Sequence, residues 1–178
     1  MTFTIAIDGL AGSGKGSLAL GISKKFNFSY FDTGILYREL AYLSVDEFGE
    51  DFTKENVIKI AKHYKSNVID ETKLRSPEIG KNASIIGSIP EVRKILKKIQ
   101  RDFKEKAPHH KGIVVDGRDI GTVIFPNANI KFFISASLKE RAKRRLIDFL
   151  DSNEKISYND VIKQLQKRDQ RDKERSVA

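Results

Sequence analysis

The chain has 178 residues, 33 Lys and Arg against 24 Asp and Glu for a formal net charge of +9, and no cysteine. The missing cysteines exclude disulfides and thiolate-bound metals, and no apolar run approaches the ~20 residues that span a bilayer. The length suits one domain with a small insertion, and the basic balance suits polyanionic partners, nucleotides or nucleic acid.

The first residues run straight into a strand with no signal-peptide pattern, so a cytoplasmic protein is expected. Phe3, Ile5 and Ile7 alternate as strand residues do, and the strand stops at Asp8-Gly9. Gly9-Leu10-Ala11-Gly12-Ser13-Gly14-Lys15-Gly16-Ser17 follows. Its glycines allow a sharp turn that presents several N–H groups to one anion. Lys15 adds a charge on a flexible stem, suited to the outer phosphates of a nucleotide. A helix expected over 17–26 points its positive end at the same place. The spacing is that of a phosphate-binding loop, G-x-x-x-x-G-K-[ST], except that Gly16 stands where the hydroxyl belongs and Ser17 comes one later. That hydroxyl ordinarily ligates Mg²⁺, so here the metal needs another holder.

A second strand, 28–31, ends at Asp32-Thr33-Gly34, and a helix over 35–45 carries Tyr37 and Arg38. Polar side chains at the C-terminal ends of such strands are where open α/β sheets bind ligands. Arg38 reads as a phosphate clamp or as an exposed helix arginine. Residues 46–83 turn polar and Lys-rich and read as a small insertion. One helix is expected over 54–64, a weak strand near Val68-Ile69, and a break at Ser76-Pro77. Asn82-Ala83-Ser84 leads into a further helical stretch, and 89–106 reads as a long basic helix with Arg93 near its start.

Ile113-Val114-Val115 is continuous and apolar, as in a central parallel strand covered on both faces. It ends at Asp116-Gly117-Arg118-Asp119, and a carboxylate at that place beside a phosphate loop is suited to orienting Mg²⁺ or its waters. Another strand, 130–134, precedes Ser137, a helix cap. The helix beyond puts Arg141, Arg144 and Arg145 on one side. In a last helix, about 158–175, the stripe Val161, Leu165, Arg168, Asp172, Arg175 begins apolar and ends charged. Such a stripe leaves the core to meet something charged, or projects into water.

Together these residues resemble bacterial cytidylate kinase. The likeness rests on the loop with Gly-Lys-Gly-Ser, Asp32-Thr33-Gly34-x-x-Tyr37-Arg38, Asn82-Ala83-Ser84, Val92-Arg93, Asp116-Gly117-Arg118-Asp119-x-Gly121-Thr122 and Arg168-Asp-x-x-Asp172-x-x-Arg175. Six motifs in register, from residue 3 to 178, are specific where any one but the loop would be weak.

The resemblance implies an α/β fold: a P-loop three-layer α/β/α kinase domain over 1–178, with a parallel sheet, a nucleotide-binding insertion at 46–83 and a lid at 152–168. It implies ATP and CMP or dCMP as substrates, with Mg²⁺ held through water and Asp116 its candidate partner. By similarity the loop Gly9–Ser17, with Arg141 and Arg145, would hold ATP. Ser84, Arg93 and Asp119 would contact cytosine, and Asp172 the ribose. Ser13, Thr33, Tyr37, Arg38, Arg118, Arg168 and Arg175 complete the CMP site, the four arginines on its phosphate. Lys15, Arg118, Arg168 and Asp116 would carry catalysis. A monomer with no nucleic-acid or membrane partner is expected.

Two departures set further expectations. The insertion is shorter than in the long bacterial form, and the family continues past the Arg175 motif with a strand and a helix where this chain stops at Ala178. Exposed apolar surface on the sheet is the expected consequence. The competing readings are a P-loop kinase for UMP, AMP or a non-nucleotide acceptor, and a catalytically dead, basic nucleotide- or RNA-binding module.

Overall fold

The computed structural model describes residues 2–65, 69–107, 111–151 and 156–174. The chain forms two compact units, Met1–Asp32 with Phe103–Ala178, and Thr33–Asp102. The second unit is broader than the insertion expected at 46–83.

Among the described residues the first unit is built on four strands, β1 (Phe3–Gly9), β2 (Ser29–Asp32), β3 (Gly112–Gly117) and β4 (Ile130–Ile134). All pair in parallel, in the order β2-β3-β1-β4. Strand parity sorts the side chains. Ile5, Ile7 and Val114 pack on one face with Ala19 and Ile22 of helix α1 (Lys15–Phe26). Ala6, Ile113 and Val115 pack on the other with Ile120 and Ile124 of a π-helical turn (Ile120–Ile124). β3 is buried along its whole length, as its apolar run predicts for a strand covered twice.

The same parity decides where the acids point. Asp116, two residues after Val114, lies on the α1 face, where Tyr30 Oη donates to its Oδ1 at 3.0 Å. Asp8, two residues after Ala6, lies on the other. Its Oδ1 accepts from the Ile120 N–H and its Oδ2 from the Gly121 N–H, both at 2.8 Å.

Helices α7 (Leu138–Asp151) and α8 (Tyr158–Glu174) pack through Ala142, Phe149, Val161 and Leu165, with Ala11 of the phosphate loop in the same cluster. Ser137 caps α7 as expected, its Oγ accepting from the Glu140 N–H at 3.3 Å. β4 is the sheet's other edge, with Ile130, Phe132 and Phe133 exposed, Phe133 to 68%.

The second unit is helical. It holds α2 (Gly34–Phe48), α3 (Lys54–His63), α4 (Glu71–Leu74), α5 (Pro77–Ile86) and most of α6 (Pro90–Lys106), around Leu36, Leu40, Val57, Leu74, Ile86, Val92 and Leu96. Thr53 and Asn56 form a reciprocal capping box that starts α3. The break expected at Ser76-Pro77 falls between α4 and α5, and it is also a helix start. Ser76 Oγ accepts from the Ile79 N–H at 3.2 Å, and Pro77 takes the first helical position, where its missing N–H costs nothing. Asn82-Ala83-Ser84 therefore lies inside α5 rather than ahead of a helix. Ile69 belongs to no strand, and Val68 lies outside the described residues. Glu39 of α2 is buried and accepts from the Tyr64 hydroxyl. Burial pushes its carboxyl up to about 7.

Candidate active site

The phosphate loop leaves β1 at Gly9, whose backbone passes so close to β4 that an added Cβ would stand 2.2 Å from the Ile134 carbonyl oxygen. Only glycine fits there. Gly14, at φ 89°, caps α1 in the left-handed region that glycine enters without strain. The helix begins at Lys15, two residues earlier than its periodicity suggests, so Lys15 stands in its first turn.

Lys15 is the electrostatic centre of this unit. Burial and the Arg118 guanidinium pull its ammonium down from 10.5 to about 8, helped by Arg168 and opposed by Asp116 and Asp32. Asp116 shows the converse shift. Burial and the neighbouring Asp32 push it up to about 6, against Lys15, the Tyr30 hydroxyl and Arg118. Asp32 and Asp116 are register partners at the ends of β2 and β3, which explains their mutual repulsion.

Among the described residues no group of three or more His, Cys, Asp or Glu side chains is arranged to hold a metal. The Asp32–Asp116 pair nevertheless suits a cation bound mainly by nucleotide phosphates and water, because such an ion offsets the burial and the repulsion that raise Asp116. Gly16 leaves the space open. A Cβ there would lie 3.7 Å from Asp116 Oδ2 and 3.6 Å from Tyr30 Oη.

Arginines surround the loop with distinct jobs. Arg118 Nε donates to Asp172 Oδ2 at 3.0 Å, and its Nη1 to the Gly117 carbonyl. Arg141 is buried, its Nη1 and Nη2 donating to both oxygens of Asp169 at 3.0 and 2.6 Å. It also donates to the carbonyls of Ala11 and Ala136. Arg144 Nη1 reaches the Gly12 carbonyl at 3.3 Å. Arg145 pairs with Asp148 and lies over the Phe149 ring. Ser13 Oγ is buried with no hydrogen-bond partner among the described residues, an orphan that calls for an explanation in a native site.

The Cytidylate kinase family model matches residues 5–178. The chain belongs to the cytidylate kinase family. A cytidylate kinase of Fusobacterium nucleatum subsp. nucleatum is 42% identical over 184 residues, covering 98% of this chain and 83% of that protein. One of Bartonella bacilliformis is 43% identical over 176 residues, covering 99% and 80%. One of Rhodospirillum rubrum is 39% identical over 175 residues, covering 98% and 82%. Cytidylate kinases are nucleoside-monophosphate kinases, and family membership carries ATP use with it. Among the described residues no helix is long and apolar enough to cross a membrane.

Of the residues that the motifs single out, the first unit brings together the loop, Lys15, Asp116, Arg118, Arg168 and Asp172. Asp119 opens the π-helical turn, its carbonyl accepting from the Val123 and Ile124 N–H groups. The second unit carries Thr33, Tyr37, Arg38, Ser84 and Arg93. Arg38 Nη1 donates to the Leu74 carbonyl at 2.7 Å, so it ties α2 to α4. Ser84 is 3% exposed, and its Oγ has no hydrogen-bond partner among the described residues. Arg175 and residues 152–155 of the expected lid lie outside the described residues.

Sequence reasoning gave no role to Tyr30, Arg144 or Asp169. Helical spacing puts Arg141, Arg144 and Arg145 on one side but cannot say which meets the loop. Asp169 sits inside the Arg168–Asp172 motif, and only packing shows that it turns toward α7.

Proposed function

We propose that the protein transfers the γ-phosphoryl group of ATP to CMP and dCMP, releasing ADP and CDP or dCDP, as a cytoplasmic monomer with Mg²⁺ as its metal. The observation that carries this reading is the desolvated Lys15 among Asp116, Asp32, Arg118 and Arg168 at the C-terminal edge of a parallel sheet. Kinases of this kind do little covalent chemistry, and catalysis comes from in-line positioning and charge neutralisation.

The loop N–H groups and Lys15 receive the ATP phosphates, while Arg141 and Arg144 hold the loop backbone from behind and Arg145 lies on the same helix. Asp116 would orient the waters of Mg²⁺, whose charge would offset that of the phosphates. Arg118 and Arg168, with Arg38 and Arg175, take the CMP phosphate, and Ser13, whose Oγ has no partner among the described residues, assists. A CMP phosphate oxygen attacks the γ-phosphorus as the bond to ADP breaks. That oxygen is already a nucleophile, so no general base is required.

Ser84, Arg93 and Asp119 select cytosine, Asp172 holds the ribose, and Thr33 and Tyr37 line the acceptor site. Asp119 accepts from the cytosine amino group, whereas uracil presents a carbonyl there and leaves the carboxylate unpaired. The buried Ser84 hydroxyl supports a ligand contact for the same reason as Ser13. Residues 46–83 serve as the acceptor-binding insertion, and 152–168 as the lid.

The test is ADP release by the purified chain with ATP and Mg²⁺, offered CMP, dCMP, UMP and AMP in turn. Turnover well above the others with CMP and dCMP is expected. Equal turnover with UMP or AMP, or nucleotide binding without turnover by a folded sample, overturns the reading.

A further inference from the structure

Asp8 precedes the phosphate loop, but its side chain faces away from it. Parity puts the carboxylate on the face of β1 that carries Ala6, against the π-helical turn. There it accepts from two successive backbone donors, the N–H groups of Ile120 and Gly121, one on each oxygen at 2.8 Å. These are the first N–H groups of the turn, which lack partners within it. The Asp8 carboxylate is the cap that this turn does not find in its own sequence, since Asp119 makes no side-chain cap.

The approach is close. A Cβ on Gly121 would stand 3.4 Å from Asp8 Oδ2 and 3.1 Å from Cδ of the Lys131 side chain, so the turn packs closely against β1. On the other side, Gly117 is the register partner of Asp8 in the sheet. The two residues between these anchors are Arg118 and Asp119. Both their backbone ends are therefore referenced to one point on β1, through the ladder at Gly117 and through the carboxylate at Ile120-Gly121.

We propose that Asp8 is a positioning residue for acceptor recognition: by holding the Ile120 and Gly121 N–H groups it fixes Arg118 and Asp119 in the attitude that selects cytosine. This rests on the reading of Arg118 and Asp119 as CMP contacts. It gives the strand before the loop two outputs, the phosphate loop at its end and the acceptor-reading turn at its side.

Asp8→Asn keeps the shape but turns one acceptor oxygen into an amide that faces an N–H donor. The experiment measures kcat and KM for CMP and UMP, KM for ATP and the thermal midpoint, in Asp8→Asn and in Asp119→Ala. The expected result for Asp8→Asn is a fall of roughly ten- to a hundredfold in kcat/KM for CMP, a shrunken preference over UMP, and a KM for ATP within about twofold of the natural protein. A lower midpoint with the preference intact would mean a merely structural role and overturns the proposal. If Asp119→Ala loses the preference while Asp8→Asn keeps it, the proposal for Asp8 fails alone. If Asp119→Ala keeps it, the reading of Asp119 fails and takes the proposal with it. Should Asp8→Asn not fold, Asp8→Glu keeps the charge but lengthens the arm that holds the two N–H groups, and is judged by the same preference.

Discussion

Arg118 and Asp172, fifty-four residues apart, hold each other through Nε and Oδ2 at 3.0 Å with side chains 20% and 8% exposed. One comes from the turn after the central strand and the other from α8, so the pair fastens the helix that carries Arg168 to the end of the sheet. A charge-assisted hydrogen bond is worth roughly 1.5–3 kcal/mol. Asp172→Asn should raise KM for CMP on the order of tenfold or more, and the double change with Arg118→Lys should cost less than the sum of the two. Additive losses would show that the pair does not act as a unit.

Lys15 governs the alkaline side of the pH profile. With its ammonium pulled down to about 8, the free enzyme loses that charge as pH rises through 8. The kcat/KM for ATP should fall above about pH 8 in the natural protein. Lys15→Arg should lower the plateau and remove the fall, because a guanidinium stays charged. A fall that survives in Lys15→Arg assigns it to another group.

Asp116 trades stability for chemistry. Its folded value, about 6, lies above the ordinary 3.8, so the folded state holds this proton longer than the unfolded chain does. Stability from this group is full below about pH 4 and is lost as pH rises through 6, a loss on the order of 1–3 kcal/mol. Asp116→Asn should therefore melt higher than the natural protein at pH 7.5 while losing most activity, with the difference shrinking at pH 4. A variant that melts lower at pH 7.5 contradicts this sign.

Arg141 and Asp169 form a bidentate pair whose side chains are 4% and 16% exposed. Asp169→Ala leaves a buried guanidinium without its counter-charge and should cost roughly 3–5 kcal/mol in urea unfolding. Arg141→Met with Asp169→Leu should recover much of that. Since Arg141 also holds the Ala11 carbonyl, ATP affinity should drop in Asp169→Ala and stay low in the double variant.

The β4 edge has the residues of a sticky strand. Phe133→Lys should reduce light scattering on concentration and leave the urea midpoint within about 0.5 kcal/mol, because the ring is 68% exposed. Unchanged scattering would show that this strand does not promote aggregation.

The parallel α/β core and the phosphate loop are legible in the chain of residues, because strand alternation, a doubly apolar run and glycine spacing are local signals. The sequence also marked Lys15, Asp116, Arg118 and Asp172 through their order along the chain. The break at Ser76-Pro77 is legible too, but that a helix starts there, ahead of Asn82-Ala83-Ser84, shows only once the Ile79 N–H finds Ser76 Oγ. Only packing showed that Arg141 and Arg144 of α7 both meet the loop, that Asp169 serves Arg141, and that Asp8 turns away from the loop it precedes. Those are contacts across 28 to 132 residues of chain. Periodicity gives the face a side chain lies on, and only packing decides what that face meets.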